Sequence, residues 1–367
     1  MKIEKRKKDH LEISIKESVI SDTSAGFEDI TLIHQTLSEL DLSDIDTSLR
    51  IFERMLEVPL IIESMTGGTT KAIKVNKMLA LCAEQYGLGI GVGSQRAAIE
   101  NPNLKKTYRV VRDFAPNALV FANIGCPQLS KNYDVEQAKM AIEMVEADAL
   151  MIHSNPLQES VQFEGEPNFT GVLLKIQEIC SNLEIPIVIK ETGSGISAEM
   201  AQLIEKAGVK GIDVAGLGGT SWSLVEYFRA IKAGRTIQKR LGNTFRNWGI
   251  PTCVSLVEAT KKTNLIVISS GGLRTGLDIA KSIALGASAG GMALPILKAA
   301  TQGYKFLNEM VEALIQELRL SMFLVGAKDV SMLRKVPLIV KGDTANWLNE
   351  RGYSTKEYAQ RTLVDLS

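Results

Sequence analysis

Residues with functional side chains stand directly after short apolar runs at several places in the chain. The most informative stretch is LIVISSGGLRTGLDIA, residues 265–280, where four β-prone apolar residues precede two adjacent glycines and an amphipathic helix start. Glycines let the backbone approach an oxyanion closely, and a helix start offers unpaired N–H groups and partial positive charge. The sequence therefore predicts a phosphate site here, completed by GMAL at residues 291–294.

The same arrangement recurs along the chain, with polar residues following apolar runs. The further motifs are MTGG (65–68), GSQR (93–96), NIG (123–125), HSNPLQE (153–159), KETG (190–193) and AGLGGTSW (215–222). Gly, Asn and Pro are common in turns, so any one of these loops also fits an ordinary turn. Lys, His, Gln and Glu are poor turn residues, which favours a shared functional face.

Eight apolar runs alternate with helix-period segments such as 135–146 and 198–207. The runs are 59–62, 88–92, 119–122, 149–152, 187–189, 211–214, 265–268 and 289–292. Continuously apolar strands separated by amphipathic helices are typical of parallel sheets covered by helices. No GxGxxG turn follows the first run, which argues against an open doubly wound sheet. The fold prediction is an α/β protein, a (β/α)8 TIM barrel with its motifs at the carboxyl ends of the strands.

Two regions lie outside the eight repeats. Residues 1–57 form an N-terminal extension, and residues 58–367 form the barrel with C-terminal helices. A long insertion between strands six and seven, about residues 223–257, is predicted to be a lid or an added helix pair. After Leu294 the sequence is helical through about Val325 and then polar and turn-rich.

Composition excludes several classes of protein. The 367 residues carry 42 acidic and 42 basic side chains, so no overall field favours nucleic acid or an anionic membrane. Four cysteines without a CxxC pair argue against a zinc site or a disulfide framework. The start MKIEKRKKDH has no apolar signal segment, and no apolar run approaches about eighteen residues. We expect a soluble cytoplasmic protein with reduced cysteines.

Taken together, the motifs resemble the type 2 isopentenyl-diphosphate isomerases, the flavin-dependent family. The matching runs are RKxxH (6–10), MTGG, GSQR, HSNPLQE, KETG, GGTSW and SGG, from residue 6 to about 300. The run HxNPxQE is the most specific, and SGG is shared with many flavin barrels. The resemblance implies a barrel that binds FMN and uses Mg²⁺ and reduced flavin, with NADPH or NADH as reductant. It further implies interconversion of isopentenyl and dimethylallyl diphosphate in isoprenoid biosynthesis, by a homotetramer or homo-octamer.

The resemblance also implies site residues. Cofactor-binding positions are Met65, Thr66, Gly67, Ser94, Asn123, Lys190, Thr220, Ser221, Gly271, Gly272, Ala293 and Leu294. Substrate-binding positions are Arg6, Lys7, His10, Arg96, His153, Asn155 and Gln158. Catalytic positions are Gln158, His153 and Lys190, and Glu159 is the magnesium ligand. Glu63 departs from the pattern, which favours a small residue there, and its carboxylate either alters the environment of a flavin or faces away.

The implied reaction adds a proton to an alkene and removes another two carbons away. An isolated alkene is far less basic than any side chain, and acids and bases are few in these motifs. We therefore expect reduced flavin to exchange the protons through its ring nitrogens, with Gln158 as an orienting or relay group. Lys190 would stabilise negative charge on the ring, or else form a structural ion pair with Glu191 or Asp213.

The diphosphate must be bound by local cations in a neutral protein. Arg6, Lys7, His10 and Arg96 are the candidates, with the basic N-terminal segment folding over the barrel mouth. Composition alone favours a solvated, disordered tail there. His153 fits a buried structural histidine equally well, and Trp222 fits either core packing or a wall for the prenyl chain.

Three other functions stay open on sequence grounds. A 2-hydroxy acid oxidoreductase with FMN needs a histidine base near strand seven, and residues 223–268 contain none. A nucleotide dehydrogenase needs a reactive cysteine, and Cys253 stands in the apolar WGIPTCVSL. A non-catalytic flavin or phosphate binder is the third.

Overall fold

The computed structural model describes residues 2–362 and contains a closed parallel barrel. The strands are β1 (Ile30–Leu32), β2 (Leu49–Ile51), β3 (Arg54–Leu56), β4 (Leu60–Ile62), β5 (Gly89–Gly91), β6 (Leu119–Gly125), β7 (Ala149–His153), β8 (Ile187–Lys190), β9 (Gly211–Asp213), β10 (Ile266–Ser270), β11 (Ala289–Met292) and β12 (Leu338–Val340). Met1 and residues 363–367, the outer ends of the two predicted segments, lie outside the described residues.

Helices precede, separate and follow the barrel strands. They are α1 (Lys2–Lys16), α2 (Thr70–Tyr86), α3 (Arg96–Glu100), α4 (Lys106–Phe114), α5 (Cys126–Leu129), α6 (Val135–Val145), α7 (Pro156–Val161), α8 (Val172–Asn182), α9 (Ala198–Lys206), α10 (Trp222–Lys232), α11 (Thr236–Thr244), α12 (Thr252–Lys262), α13 (Gly276–Leu285), α14 (Leu294–Gln302), α15 (Tyr304–Leu324), α16 (Val330–Leu333), α17 (Gly342–Glu350) and α18 (Lys356–Ala359). Within residues 2–362, no helix combines the length and apolarity that a bilayer crossing requires.

The barrel comprises β4 to β11 in sequence order, closed by pairing of β11 with β4. Each predicted apolar run coincides with one of these strands, so the TIM-barrel prediction is confirmed. Nearly all residues of these strands are buried, because helices cover the outside and side chains fill the inside.

Four strands continue past the ends of their apolar runs, β7 and β8 by one residue each, β10 by two and β6 by three. β6 extends through Asn123 to Gly125, which pairs with His153 of β7, so the NIG motif lies in the strand rather than in a loop. β10 extends through Ser269 and Ser270, which pair with Gly290 and Gly291. In both cases backbone pairing with a neighbouring strand continues past the last apolar residue, which hydropathy alone does not indicate.

The insertion before β10 consists of the helix pair α10 and α11, followed by the barrel helix α12. The expectation of a turn-rich C-terminal end after Val325 was wrong, since α16, β12, α17 and α18 lie there. β12 pairs antiparallel with β1, from Ile30 opposite Val340 to Leu32 opposite Leu338.

The N-terminal segment is a helix that leads into the barrel mouth, not the disordered tail that composition favours. After α1 the chain pairs with the loop that follows β9: Ser21 N donates to Gly219 O over 3.0 Å, and Ser221 N donates to Val19 O over 2.7 Å. Ile13 and Val19 are fully buried against Val225 of α10. These contacts hold the segment over the carboxyl ends of the strands.

Candidate active site

A single cavity lies at the carboxyl ends of the barrel strands. All eight strand ends contribute lining residues, and α1 closes one side with Arg6, Lys7, His10, Leu11 and Ser14. These five positions share one helix face, since residues three and four apart in a helix point the same way. The barrel therefore gathers at one face the motifs that are far apart in sequence.

One end of the cavity fits a phosphate group. Gly271 and Gly272 have left-handed φ values of 98° and 94°, which favour glycine. A Cβ on Gly271 would lie 2.3 Å from Gly216 O, so any side chain would clash with the loop after β9. Among the described residues, the N–H groups of Gly271 and Gly272 donate no hydrogen bond. Free donors beside a tight glycine turn fit the phosphate of a flavin mononucleotide.

The helix after this glycine pair supplies few of the donors expected from sequence. Gly276 N donates to Glu317 Oε2, and Asp278 N donates to the Thr275 side chain in a capping box. Among the described residues Leu277 N donates no hydrogen bond, but Leu277 does not line the cavity. The other nearby helix start is that of α14, where Ala293 and Leu294 line the cavity.

Lys190 ends β8 at the floor of the cavity, with its ammonium group buried. It donates to Asp213 Oδ2 of β9 and lies 3.0 Å from Glu63 Oε2. Burial opposes the charge of Lys190, but the two carboxylates outweigh it and hold the pKa of the lysine above its usual value. Lys190 is thus a permanent cation at the cavity floor, and the predicted ion pair with Asp213 is present.

His153 ends β7 and faces the cavity as a neutral ring. Its Nδ1 lies 2.7 Å from Asn123 Oδ1, so with the amide oxygen facing it, Nδ1 carries the proton. Burial, with the charge of Lys190, lowers the pKa of His153 to about 4. A neutral Nε2 can accept a hydrogen bond from a bound molecule but is a poor acid.

The HSNPLQE run folds over β7 into α7 and forms a bonded cluster. Asn155 Nδ2 donates to Gln158 Oε1 over 2.9 Å and to Glu159 Oε1 over 3.1 Å. Glu159 Oε2 accepts from the backbone N–H of Glu166. Pro156 begins α7, where its fixed φ and missing N–H suit the first turn. The motif therefore presents an amide and one carboxylate toward the cavity.

Glu226 is a buried carboxylate next to the cavity-lining Gln158 that the sequence analysis did not identify. It lies on α10, is 1% exposed, and accepts from Gln158 Nε2 over 3.3 Å. Burial raises the pKa of Glu226, but His10 at 2.7 Å and Arg229 at 2.6 Å lower it by more than burial raises it. Glu226 is therefore ionised. Glu226 is the one acidic residue of α10 and stands between Val225 and Tyr227, and this was the available signal.

The basic residues of α1 differ in how they are paired. Lys7 Nζ donates to Gly67 O, Ser94 O and Tyr108 Oη, and all three acceptors are neutral. Burial, together with the charge of Arg6, lowers the pKa of Lys7 to about 7. Arg6 Nη1 lies 3.1 Å from the side-chain amide of Gln162. Neither cation has a carboxylate partner among the described residues, so both are available to an anion.

Arg96 is placed differently from the cations of α1. Its guanidinium pairs with Glu100 at 2.8 Å and with Glu166 at 3.3 Å, although it lines the cavity. An anionic ligand must therefore displace or share these carboxylates.

Within the described residues, no three His, Cys, Asp or Glu side chains are grouped to hold a metal. A cation bound at Glu159 would need oxygens from a ligand and water.

The structure brings nearly all predicted site residues into this one cavity. Ser221 is the exception: its side chain caps α10, accepting from Leu224 N and donating to Arg246 O. Met65, Thr66, Ser94 and Thr220 line the wall between the two ends. Sequence reasoning missed Tyr108 and Glu226 as partners of these residues, because their contacts join elements far apart in the chain.

Cys253, the candidate for a reactive thiol, is fully buried in α12. Burial holds the pKa of its thiol well above the usual value, and the side chain does not line the cavity. This is the packing role expected from its apolar setting, and it removes the basis for a nucleotide dehydrogenase.

The FMN-dependent dehydrogenase family model matches residues 127–339. Relatives over the full chain are named isopentenyl-diphosphate delta-isomerase. One from Methanosarcina barkeri is 46% identical over 97% of both chains. One from Pyrococcus furiosus is 45% identical, covering 94% of this chain and 89% of the relative.

Solved structures with a similar fold are far less similar in sequence. A lactate oxidase of Pediococcus acidilactici superposes with a TM-score of 0.64 at 16% identity, covering 93% of this chain and 94% of the other. A mandelate oxidase variant gives a TM-score of 0.61 at 18% identity, covering 93% and 98%. These establish the shared barrel fold, whereas the relatives at 45–46% identity establish the family. The protein belongs to the isopentenyl-diphosphate delta-isomerase family, in its FMN-dependent type 2 form.

Proposed function

We propose that the protein interconverts isopentenyl and dimethylallyl diphosphate with bound FMN and Mg²⁺, as a step of isoprenoid biosynthesis. One observation supports this most strongly. A single cavity joins a glycine cradle for phosphate, the buried ammonium of Lys190, and Arg6 and Lys7 of α1, which have no carboxylate partner among the described residues. A flavin and a diphosphate ester can thus lie side by side with the reacting carbons between them.

The diphosphate end of the substrate would lie against α1. Lys7 and Arg6 offer donors without a carboxylate partner, and His10 lies behind them on the same helix face. Bringing two phosphates to this side replaces neutral acceptors of Lys7 with anionic ones and adds the attraction between opposite charges. Arg96 would join by exchanging one of its carboxylate partners.

Magnesium would be held by Glu159 together with phosphate oxygens and water. Glu159 is oriented by Asn155 and by the backbone of Glu166, so one carboxylate is fixed beside the cationic side of the cavity. Mg²⁺ usually retains waters and takes only one or two protein carboxylates when it binds a phosphorylated substrate. The single carboxylate therefore suffices for this role.

The proton-handling groups of the protein would be Gln158 and Glu226. Bound FMN in its reduced form supplies ring nitrogens that can exchange protons with an alkene. Gln158 has no useful pKa, but its amide bonds directly to ionised Glu226 over 3.3 Å. Glu226 can hold a proton leaving the substrate side, and Gln158 orients the path to it.

His153 and Lys190 would act on the opposite side. Neutral His153 can accept a hydrogen bond through Nε2, and Lys190 places a fixed positive charge at the floor. Positive charge near the N1 side of a flavin stabilises its reduced form. These two residues would therefore orient the cofactor rather than transfer protons to carbon.

The proposal is tested with purified protein. We expect a yellow flavin spectrum that NADPH, NADH or dithionite bleaches without oxygen. Reduced holoprotein with Mg²⁺ should then bring either C5 diphosphate to the same equilibrium mixture, followed by proton NMR. Chelation of Mg²⁺ or reoxidation of the flavin should stop the reaction. A flavin-loaded, reduced protein that converts neither diphosphate would contradict the proposal.

The shared barrel makes a 2-hydroxy acid oxidoreductase the second candidate, and the same holoprotein distinguishes it. The histidines facing the cavity, His10 and His153, come from α1 and β7, and none follows β10. We expect lactate and mandelate to leave the oxidised flavin spectrum unchanged, because no histidine stands near β10, where such an enzyme needs its base.

The assembly and location of the protein are part of the proposal. We infer a cytoplasmic homotetramer or homo-octamer, as the family resemblance implies. Large apolar side chains such as Leu174 and Ile237, 71% and 70% exposed, are consistent with contacts between copies. Light scattering of the purified protein and cell fractionation test these two statements.

A further inference from the structure

The cavity floor contains a second carboxylate that the mechanism above does not use. Glu63 directly follows β4, which lies diametrically opposite β8 in the closed barrel. Glu63 Oε2 lies 3.0 Å from Lys190 Nζ, and Glu63 is only 2% exposed. The carboxylate faces the cavity and is one of the lining groups. Glu63 therefore lies at the proposed cofactor site.

The barrel leaves room for this carboxylate on the neighbouring strand. Gly291 of β11 lies beside Glu63, and a Cβ at Gly291 would come within 2.2 Å of Glu63 Oε1. The φ of Gly291 is not in the left-handed region, so its backbone does not require glycine. Glycine at this position leaves space for the Glu63 carboxylate and for Ser270, whose Cβ would lie 2.8 Å from an added Cβ.

Glu63 depends on one cation that it must share. Lys190 Nζ is 3.0 Å from Glu63 Oε2 but hydrogen bonds to Asp213 and Ser270 instead. Neither carboxylate oxygen of Glu63 has a hydrogen-bond partner in the described part of the chain. Asp213 is better supported, since Ser270 Oγ also donates to it over 2.6 Å. The floor thus holds two buried carboxylates and one ammonium.

The extra negative charge opposes the charge that Lys190 offers a flavin. Reduction adds negative charge to the ring unless protons compensate it, and a nearby ammonium stabilises that charge. In a water-poor cavity an additional carboxylate a few ångströms away reduces this stabilisation substantially. We propose that Glu63 is a positioning residue that lowers the midpoint potential of bound FMN by competing with the flavin for Lys190. This inference rests on the proposed FMN site.

Protonation of Glu63 makes the effect depend on pH. The charged groups facing Glu63 are Lys190 and Asp213, while β10 and β11 contribute the Ser270 hydroxyl and Gly291. Burial and then the charge of Asp213 raise the pKa of Glu63 to about 8, and Lys190 offsets only part of this. Below that pH Glu63 is neutral, and the positive charge of Lys190 is balanced by the negative charge of Asp213. Above it Glu63 is ionised, and the three side chains together carry one excess negative charge.

The test is the midpoint potential of the FMN holoprotein, measured by anaerobic equilibration with a reference dye. Wild type is compared with Glu63→Gln, which keeps the shape but removes the charge. The matched control is Glu258→Gln, since Glu258 is also 1% exposed but pairs with Arg351 away from the cavity. If Glu63→Gln does not fold, Glu63→Ser provides the same comparison.

At a pH above about 8 we expect a higher midpoint potential for Glu63→Gln than for wild type. The ratio of its affinities for reduced and oxidised FMN should be about tenfold higher than the wild-type ratio. At a pH well below that value the difference should largely disappear, and the control should match wild type at both. Equal potentials for wild type and Glu63→Gln above this pH, with FMN bound to both, would overturn the inference alone. Absence of bound flavin in wild type would instead refute the proposed function.

Discussion

Lys7 is held in the cavity by neutral acceptors, and this determines how its charge responds to a ligand. Its three partners are two carbonyls and the Tyr108 hydroxyl, and its pKa is about 7. An arriving diphosphate favours the charged ammonium, so its pKa must rise on binding. Binding and protonation of Lys7 are therefore linked.

We predict that inorganic pyrophosphate binds the holoprotein with uptake of up to about one proton at a pH one unit above this pKa. Isothermal titration calorimetry in two buffers of different protonation enthalpy measures the uptake. Lys7→Met should abolish the uptake and weaken binding by about tenfold or more, because a charged hydrogen bond is lost.

Lys8→Met is the matched control, since Lys8 is the adjacent lysine but its side chain is 57% exposed and, among the described residues, pairs with Glu12 rather than with the cavity. It should bind pyrophosphate like wild type. Equal proton uptake by wild type and Lys7→Met would show that another group titrates.

Glu226 is the carboxylate nearest to Gln158 and provides a second test at the residue scale. We predict that Glu226→Gln lowers kcat about a hundredfold or more with little change in KM, because proton transfer is affected more than binding. Steady-state assays under reducing conditions measure this. Glu164→Gln removes the other carboxylate partner of Arg229 and should change kcat only slightly. A Glu226→Gln enzyme with normal kcat would remove this residue from the mechanism.

At the scale of elements, two helix starts near the phosphate cradle have different functions. α13 is capped by the protein's own side chains, whereas α14 opens into the cavity. The glycine pair between β10 and α13 therefore forms the phosphate cradle through its own backbone N–H groups and its close packing on the loop after β9.

We predict that Gly272→Ala weakens FMN binding by about tenfold or more. The added methyl would meet Ala25 Cβ at 2.7 Å and strain a residue with φ of 94°. Flavin retention after dialysis and fluorescence titration of the stripped protein measure the effect. Gly234→Ala is the control, because its φ is also positive, at 65°, but its Cβ meets nothing within 4 Å. If both variants lose FMN equally, backbone strain rather than the cradle is responsible.

The stability of the whole molecule should depend on buried carboxyl groups. Burial raises the pKa of Glu63 to about 8 and of Glu191 to about 7, so the folded protein holds protons that the unfolded chain releases near its ordinary pKa of 4.5. Stability therefore falls as pH rises from about 5 to 8. His153 acts oppositely, since its lowered pKa makes stability rise between about 4 and 6.5.

We predict that the free energy of unfolding of the flavin-free protein falls by about 1 kcal/mol between pH 6.5 and pH 8. In this window His153 no longer contributes to the slope, and Lys7, whose lowered pKa makes stability rise above about pH 7, offsets part of the loss from Glu63 and Glu191. Urea unfolding at several pH values measures it, and Glu63→Gln should flatten the slope. A stability that rises throughout this range would contradict the raised pKa values.

Much of this architecture could be predicted from the sequence because it is encoded locally. Eight apolar runs gave the barrel strands, and the residues after them are at the mouth because parallel strands end at one face. What could not be predicted depends on partners distant in the chain. The His10 to Glu226 contact joins positions 216 residues apart, and neither local pattern indicates the other. The capping of Gly276 by Glu317 is of the same kind.

The pairing of β1 with β12 has a consequence for how the molecule is made. Residues 30–32 find their strand partner only at residues 338–340, close to the end of the described chain. A ribosome thus releases all eight barrel strands before β1 has its strand partner. During synthesis the barrel can close first, and the pairing that joins the N-terminal extension to the C-terminal part of the chain forms last.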